Sequence, residues 1–275
     1  MKRIVSKRWL ALLTAALLVF ALLPGAALAD EPVAQIGTTE GTTEYDSLTD
    51  ALSAAGEGQI VKVIANTTVS GSFELTTTIT LDLNGKTVDW TTSDSVALNV
   101  TAGTLTIQDS ATGGALNITS TSTKANAYGI CARGGNLVLK SGTVSYSTTT
   151  NGSACAAIAT GGTSGLTMEG GTVKLLQTAD DIVYAYGVFA AGNGVHSFTG
   201  GTVELGSGVK ADNVYGVCVA MFSSGKPTSI DALTVDASQV PASSEVLCVR
   251  GGTSSPMTSV SSGVYKVCLL YTSPS

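Results

Sequence analysis

The sequence predicts an all-β chain wound as a parallel β-helix solenoid, and three observations predict it. The phrase GGTVKL at Gly170 to Leu175 returns as GGTVEL at Gly200 to Leu205 and as SGTVSY at Ser141 to Tyr146. A second marker keeps the same beat: AYGI ending at Ile130, CAAI at Ile158, AYGV at Val188, VYGV at Val217 and EVLC with Leu247 are separated by 28, 30, 29 and 30 residues. Composition agrees, since charged residues are only 12% and the 32 glycines punctuate runs of Val, Ile, Leu and Thr, as strands joined by turns require. A unit of about 29 residues cannot bury its apolar faces alone, whereas stacked copies bury a continuous core. Parallel stacking sets equivalent residues about 4.8 Å apart. Parallel crossovers are right-handed, so the expected fold is a right-handed parallel β-helix.

At the N-terminus, Lys2, Arg3, Lys7 and Arg8 precede an apolar run from Trp9 to Leu23, then Pro24-Gly25 and the small-residue triplet Ala27-Leu28-Ala29. This is the pattern of a secretory signal cleaved after Ala29, and the run falls short of the roughly 20 residues that span a bilayer. Residues 1–29 are therefore expected to be a signal peptide and residues 30–44 a linker, and the protein to be secreted or held at the cell surface. No later segment is apolar enough to span a membrane. The chain has 14 basic and 20 acidic residues, a formal charge of −6; four of the basic residues lie in the signal, so the remainder carries −10. That balance argues against nucleic acid as a partner.

Next comes the one credible helix, residues 45–55. YDSLTDALSAA sets Leu48, Ala51, Leu52 and Ala55 on one face, and Ser47 and Asp50 are spaced as a capping box with Asp in place of Glu. An open solenoid end exposes core and unpaired strand edges, so this helix reads as a lid. Irregular turns are expected over 56–119, where TITLDLNGKTVDW from Thr78, GTLTIQDS from Gly103 and GALNIT from Gly114 repeat the style loosely.

Regular repeats are expected over 120–267. Val144, Val173, Val203 and Val235 are separated by 29, 30 and 32 residues, and Val264 in SGVYKV lies another 29 on. A third strand per unit is seen in NLVLKSG from Asn136, GLTMEGG from Gly165, VHSFTGG from Val195 and MTSVSSG from Met257. In GTVKL the alternation turns Val173 and Leu175 inward and Thr172 and Lys174 outward, with Lys174 next to Glu204 of the following turn. The last stretch, CLLYTSPS from Cys268 to Ser275, breaks this style. It reads back into TGT-CTC-TTA-TAC-ACA-TCT-CCG-AGC, which resembles a transposon-end sequencing adapter, so residues 268–275 are expected to be an artefact of library preparation and the natural chain to continue past Val267. The other reading is a genuine terminal strand.

The stretch YDSLTDALSAAGEGQIVKVIANTT followed by TITLDLNG and GG-T-V turns resembles the right-handed parallel β-helix proteins of the pectin-lyase-like superfamily. Within that group it is closest in style to secreted, adhesin-like repeat proteins of Gram-positive bacteria. The likeness covers Tyr45 to Val267. It implies a surface protein that binds glycans or surface partners; the alternative it implies is a fragment of a polysaccharide lyase or glycoside hydrolase. Enzymes of the superfamily that cut pectic polysaccharides carry acids with Arg, Lys or His on one outer sheet. Polygalacturonase-like members have a separate Asp, an Asp pair, a Gly-His-Gly and an Arg-x-Lys.

This chain departs from that pattern. It offers the pair Asp180-Asp181, GVH around His196 in place of Gly-His-Gly, and no Arg-x-Lys after it. Arg133 and Arg250 occupy one register position but lie four turns apart, roughly 19 Å at strand spacing, too far to hold one sugar ring. No catalytic residue is assigned. Asp180, Asp181 and Asp212 should fall one turn apart at nearby corners, which makes them weak candidates for a calcium site of oxygen ligands; the nonapeptide calcium repeat is missing, and no other cofactor is expected. His196 has no second His or Cys at ligand spacing and reads as structural or solvated.

The register also disciplines the cysteines. Cys131, Cys218 and Cys248 each follow the aligned apolar residue and fall in one column, with Cys155 three positions before Ile158. In-register parallel neighbours direct their Cβ vectors alike, so Cys218 and Cys248 read as thiols in a ladder, although export would permit a disulfide. Tyr128, Tyr186 and Tyr215 form another column, read as stacked packing, with a sugar-binding strip as the alternative. The column Thr143, Thr172, Thr202 and Thr234 is not an ice-binding array, because its neighbour column reads Ser145, Lys174, Glu204 and Asp236.

Overall fold

Alternating apolar residues between glycine turns make short strands, and the strands recur in threes. The structure, a computed structural model, describes residues 31–38, 41–149, 152–221, 228–241, 244–251, 259–260 and 263–267. The stretch 1–29, expected to be a signal peptide, and 268–275, expected to be an artefact, lie outside the described residues.

Three parallel sheets run along the solenoid. The first stacks Gln59–Val63, Ile79–Asp82, Thr104–Gln108, Asn136–Leu139, Leu166–Met168, His196–Phe198, Ser229–Ile230 and Ser259–Val260. The second stacks Thr67–Ser70, Thr87–Thr92, Ala115–Ser120, Thr143–Thr148, Thr172–Gln177, Thr202–Gly208, Leu233–Ala237 and Gly263–Val267. The third stacks Phe73–Leu75, Val96–Val100, Asn126–Ala132, Ala154–Thr160, Tyr184–Gly192, Asn213–Met221 and Glu245–Gly251.

Each sheet contributes an inner ladder. In the first, Leu81, Ile107, Leu139, Met168, Phe198 and Ile230 stand one above another. In the second the ladder is Val88, Leu116, Val144, Val173, Val203 and Val235. In the third it is Leu98, Ile130, Ile158, Val188, Val217 and Leu247. All of these except Leu247 are buried in one continuous core, and each contributes about 1.5–3 kcal/mol of transfer free energy. The register predicted from the two repeat markers is the register observed as far as Val235 and Leu247.

The doubled glycine has two separate causes. A Cβ on Gly170 would lie 2.5 Å from the carbonyl oxygen of Lys140 in the turn below, so only the bare backbone fits. Gly171 has φ +73°, a left-handed conformation that other residues adopt at a cost. One glycine permits the close approach and the other makes the corner.

Three expectations are corrected. Within residues 30–44, expected as linker, the chain forms an antiparallel hairpin of Ala34–Thr38 and Gly41–Tyr45, whose last residue is the one expected to open the helix. Its first strand also pairs antiparallel with Gln59–Val63, and the buried Ala34 and Ile36 account for its folding onto the core, where it covers an otherwise open sheet edge. The helix spans Leu48–Ala54, with Ser47 as N-cap accepting from the Asp50 N–H at 3.3 Å; Leu48, Ala51 and Leu52 are buried, and the helix packs against the hairpin and the first strands. Val264 does not join the Val column: Val235 pairs with Tyr265, and Val264 stands opposite Thr234, 54% exposed. The glycine sets the register here, since Gly263 aligns with Leu233, and the residue after it takes the outward threonine position.

Candidate functional site

Because the inner columns are filled by packing, any chemistry must be written on the outer faces and corners. On the second sheet the outer column reads Asp89, Asn117, Ser145, Lys174, Glu204 and Asp236 in register. Successive members satisfy one another: Asn117 Nδ2 donates to Asp89 Oδ1 at 2.9 Å, Ser145 Oγ donates to Asn117 Oδ1 at 2.8 Å, and Lys174 Nζ lies 2.7 Å from Glu204 Oε2. The column Thr143, Thr172, Thr202 and Thr234 runs beside it, half-buried.

The third sheet carries a second apolar cluster on the face opposite the core. Cys131, Ala159, Phe189, Cys218 and Cys248 form one column, and the four described cysteines are thiols, not disulfides. Burial pushes the Cys155 thiol up to about 12 and raises that of Cys131. The tyrosine column is Tyr128, Ala156, Tyr186 and Tyr215. Tyr186 and Tyr215 stack with centroids 5.1 Å apart, whereas Ala156 separates Tyr128 from them and the Arg133 guanidinium lies 5.7 Å from the Tyr128 ring centroid. These rings are nearly covered, as packing requires. Arg250 occupies the rung opposite Ala220, four strands along from the Arg133 rung, so the two backbone positions lie about 19 Å apart at strand spacing.

The acidic candidates are not drawn together as a set. Asp180 pairs with Lys210 at 3.0 Å, both well exposed. Asp180 and Asp181 line one shallow hollow with Lys210, Gln177 and Thr178. Asp212 does not line it, and its backbone N–H donates to the Ile182 carbonyl at 3.0 Å. Among the described residues no group of three or more His, Cys, Asp and Glu side chains is placed to hold a metal ion.

His196 is not at a corner. It takes the inner position above Leu137 and Leu166 and is fully buried, with neither ring nitrogen hydrogen-bonded to the protein. Burial pulls its pKa down from 6.5 to about 4, because the charged imidazolium is expelled from an apolar stack.

Two carboxylates that the sequence reading passed over act as clips between turns. Asp82 Oδ1 accepts from the N–H groups of Asn84 and Ser110, and Asp109 accepts from those of Gly85 and Gly114. The signal was present in LDLNG and IQDS, where an acid precedes a turn. Among the described residues no helix is long and apolar enough to cross a membrane. No protein-family model, curated protein or solved structure matches the chain.

Proposed function

We propose that the chain is a secreted or cell-surface display solenoid that binds glycans or surface proteins without catalysing a reaction on them. The observation that carries this reading is the outer ladder from Asp89 to Asp236. Its side chains change from acid to amide, hydroxyl, lysine and acid again, over an inner column made only of Val and Leu. Packing dictates the inner residues; the outer ones are spread one per turn along an extended flank, the arrangement that repeat solenoids use as a binding surface. Acid–base cleavage of a glycosidic or uronate bond needs two titratable groups converging on that bond. Here Lys174 faces Glu204, Lys210 faces Asp180, and His196 is turned into the core. The apolar leader and the resemblance to adhesin-like β-helix proteins support export.

The test incubates the full chain with polygalacturonate, alginate and neutral plant and host glycans, with and without calcium, and immobilises it on a glycan array. Capture of a glycan or of a surface protein with no new reducing ends or unsaturated products supports the proposal. Product above background that disappears in Asp181→Ala contradicts it and favours a lyase or hydrolase.

A further inference from the structure

Where the third sheet hands the chain to the first, the corner opens a cleft of about 550 Å³, a volume in the range of small-ligand sites. Its walls carry four hydrogen-bonding side chains, Asn136, Thr163, Thr167 and Asn193, beside the apolar Val138 and Val195, and no lining residue is ionisable. Asn136 Oδ1 accepts from the Gly165 N–H at 2.8 Å, which leaves its Nδ2 as the group free to donate. Asn193, from the following turn, brings a second side-chain amide to the same cleft. A polar lining made wholly of neutral amides and hydroxyls points to an uncharged, hydroxyl-bearing partner.

We infer that the cleft binds a neutral sugar residue. A hydroxyl both donates and accepts, so a vicinal pair can meet the side-chain amides of Asn136 and Asn193 together, with Thr163 and Thr167 serving either role. The C–H face of a pyranose ring can lie against Val138 and Val195, the latter 48% exposed. A uronate would bring a carboxylate to a wall that holds no cation, inside a chain whose charge is already negative. This inference rests on the glycan-binding reading above and narrows it to uncharged sugars.

The experiment titrates the full chain with cellopentaose, mannopentaose and maltopentaose, and with tetragalacturonate, by isothermal calorimetry. Three variants are compared at matched circular dichroism and melting temperature: Thr167→Glu, which crowds and charges the cleft; Asn193→Ala, which removes one of its two amides; and Thr172→Glu, on the second sheet. At least one neutral oligosaccharide should bind and tetragalacturonate should not. Thr167→Glu should weaken binding about tenfold or more and Asn193→Ala about three- to tenfold, with Thr172→Glu unchanged. Neutral-sugar binding that survives both cleft variants overturns the cleft assignment and leaves the glycan-binding reading standing. Binding of tetragalacturonate alone overturns the neutral class. No binding of any of the four overturns the inference, while capture of a surface protein would still uphold the broader proposal.

Discussion

His196 stands directly on Leu166, one strand spacing away in the inner column of the first sheet, so an imidazole occupies the rung that Leu105, Leu137 and Leu166 fill in the turns before it. A neutral ring fits such a stack; a charged one does not. The unfolded chain takes up a proton near pH 6.5, whereas the folded chain resists until about pH 4. The contribution of this residue to stability is therefore complete above pH 6.5 and lost as pH falls through that window, by up to about 3 kcal/mol. Thermal melts at pH 7.5 and 4.5 should show a marked drop for the parent chain and a smaller one for His196→Leu. Equal drops would place the acid sensitivity elsewhere.

The assignment of faces is tested at two neighbouring residues. Val173 is fully buried and Thr172 is half-buried on the outer side. Val173→Asp should cost about 3 kcal/mol or more, enough to threaten folding, because an unpaired carboxylate enters a dry stack. Thr172→Asp should change the melting temperature little. Equal melting temperatures would overturn the faces.

Gly171 tests the corner. An alanine Cβ there would be held at φ +73° and lie 2.9 Å from the Gly142 carbonyl oxygen. Gly171→Ala should cost about 1–3 kcal/mol, read as a shift in the denaturant midpoint with unchanged slope. A neutral result would mean that the corner can be remade without left-handed backbone.

The cysteine ladder bears on redox chemistry. With the described cysteines present as thiols, adding reductant should leave the melting temperature unchanged. The raised values of Cys131 and Cys155 should make alkylation at pH 8 slow until the protein unfolds. A melting temperature that falls on reduction would reveal a Cys218–Cys248 bridge, built at the cost of turning two parallel Cβ vectors toward each other.

Much of this architecture was legible because stacking forces repetition: the same Gly corner and inward Val must recur once per turn, and the intervals from Ile130 to Leu247 recovered the ladder. The misreadings have physical causes. Val264 was aligned on its own chemistry, whereas the turn glycine decides the register. The hairpin is hidden within the stretch 30–44 that reads as linker, because its second strand, Gly41–Tyr45, is almost wholly exposed and has no apolar alternation to betray it. The burial of His196 could have been read from the column that VHSF shares with NLVL and GLTM, since it takes the place of Leu137 and Leu166. The cleft could not, because Asn136, Thr163 and Asn193 come from corner segments whose meeting depends on loop geometry and not on period.

The in-register stack that underlies all of this is tested most directly by distances along one outer column. Thr87, Ala115, Thr143, Thr172, Thr202 and Thr234 occupy successive rungs of the second sheet. Pairs of nitroxide labels joining Thr234 to Thr87, to Ala115 and to Thr143 can be compared by pulsed electron paramagnetic resonance. Backbone separations should be about 24, 19 and 14 Å, falling by about 4.8 Å per turn, with narrow distributions. Distances that fail to shorten by one strand spacing per turn, or that spread broadly, would contradict the solenoid and with it the flank on which the proposed binding depends.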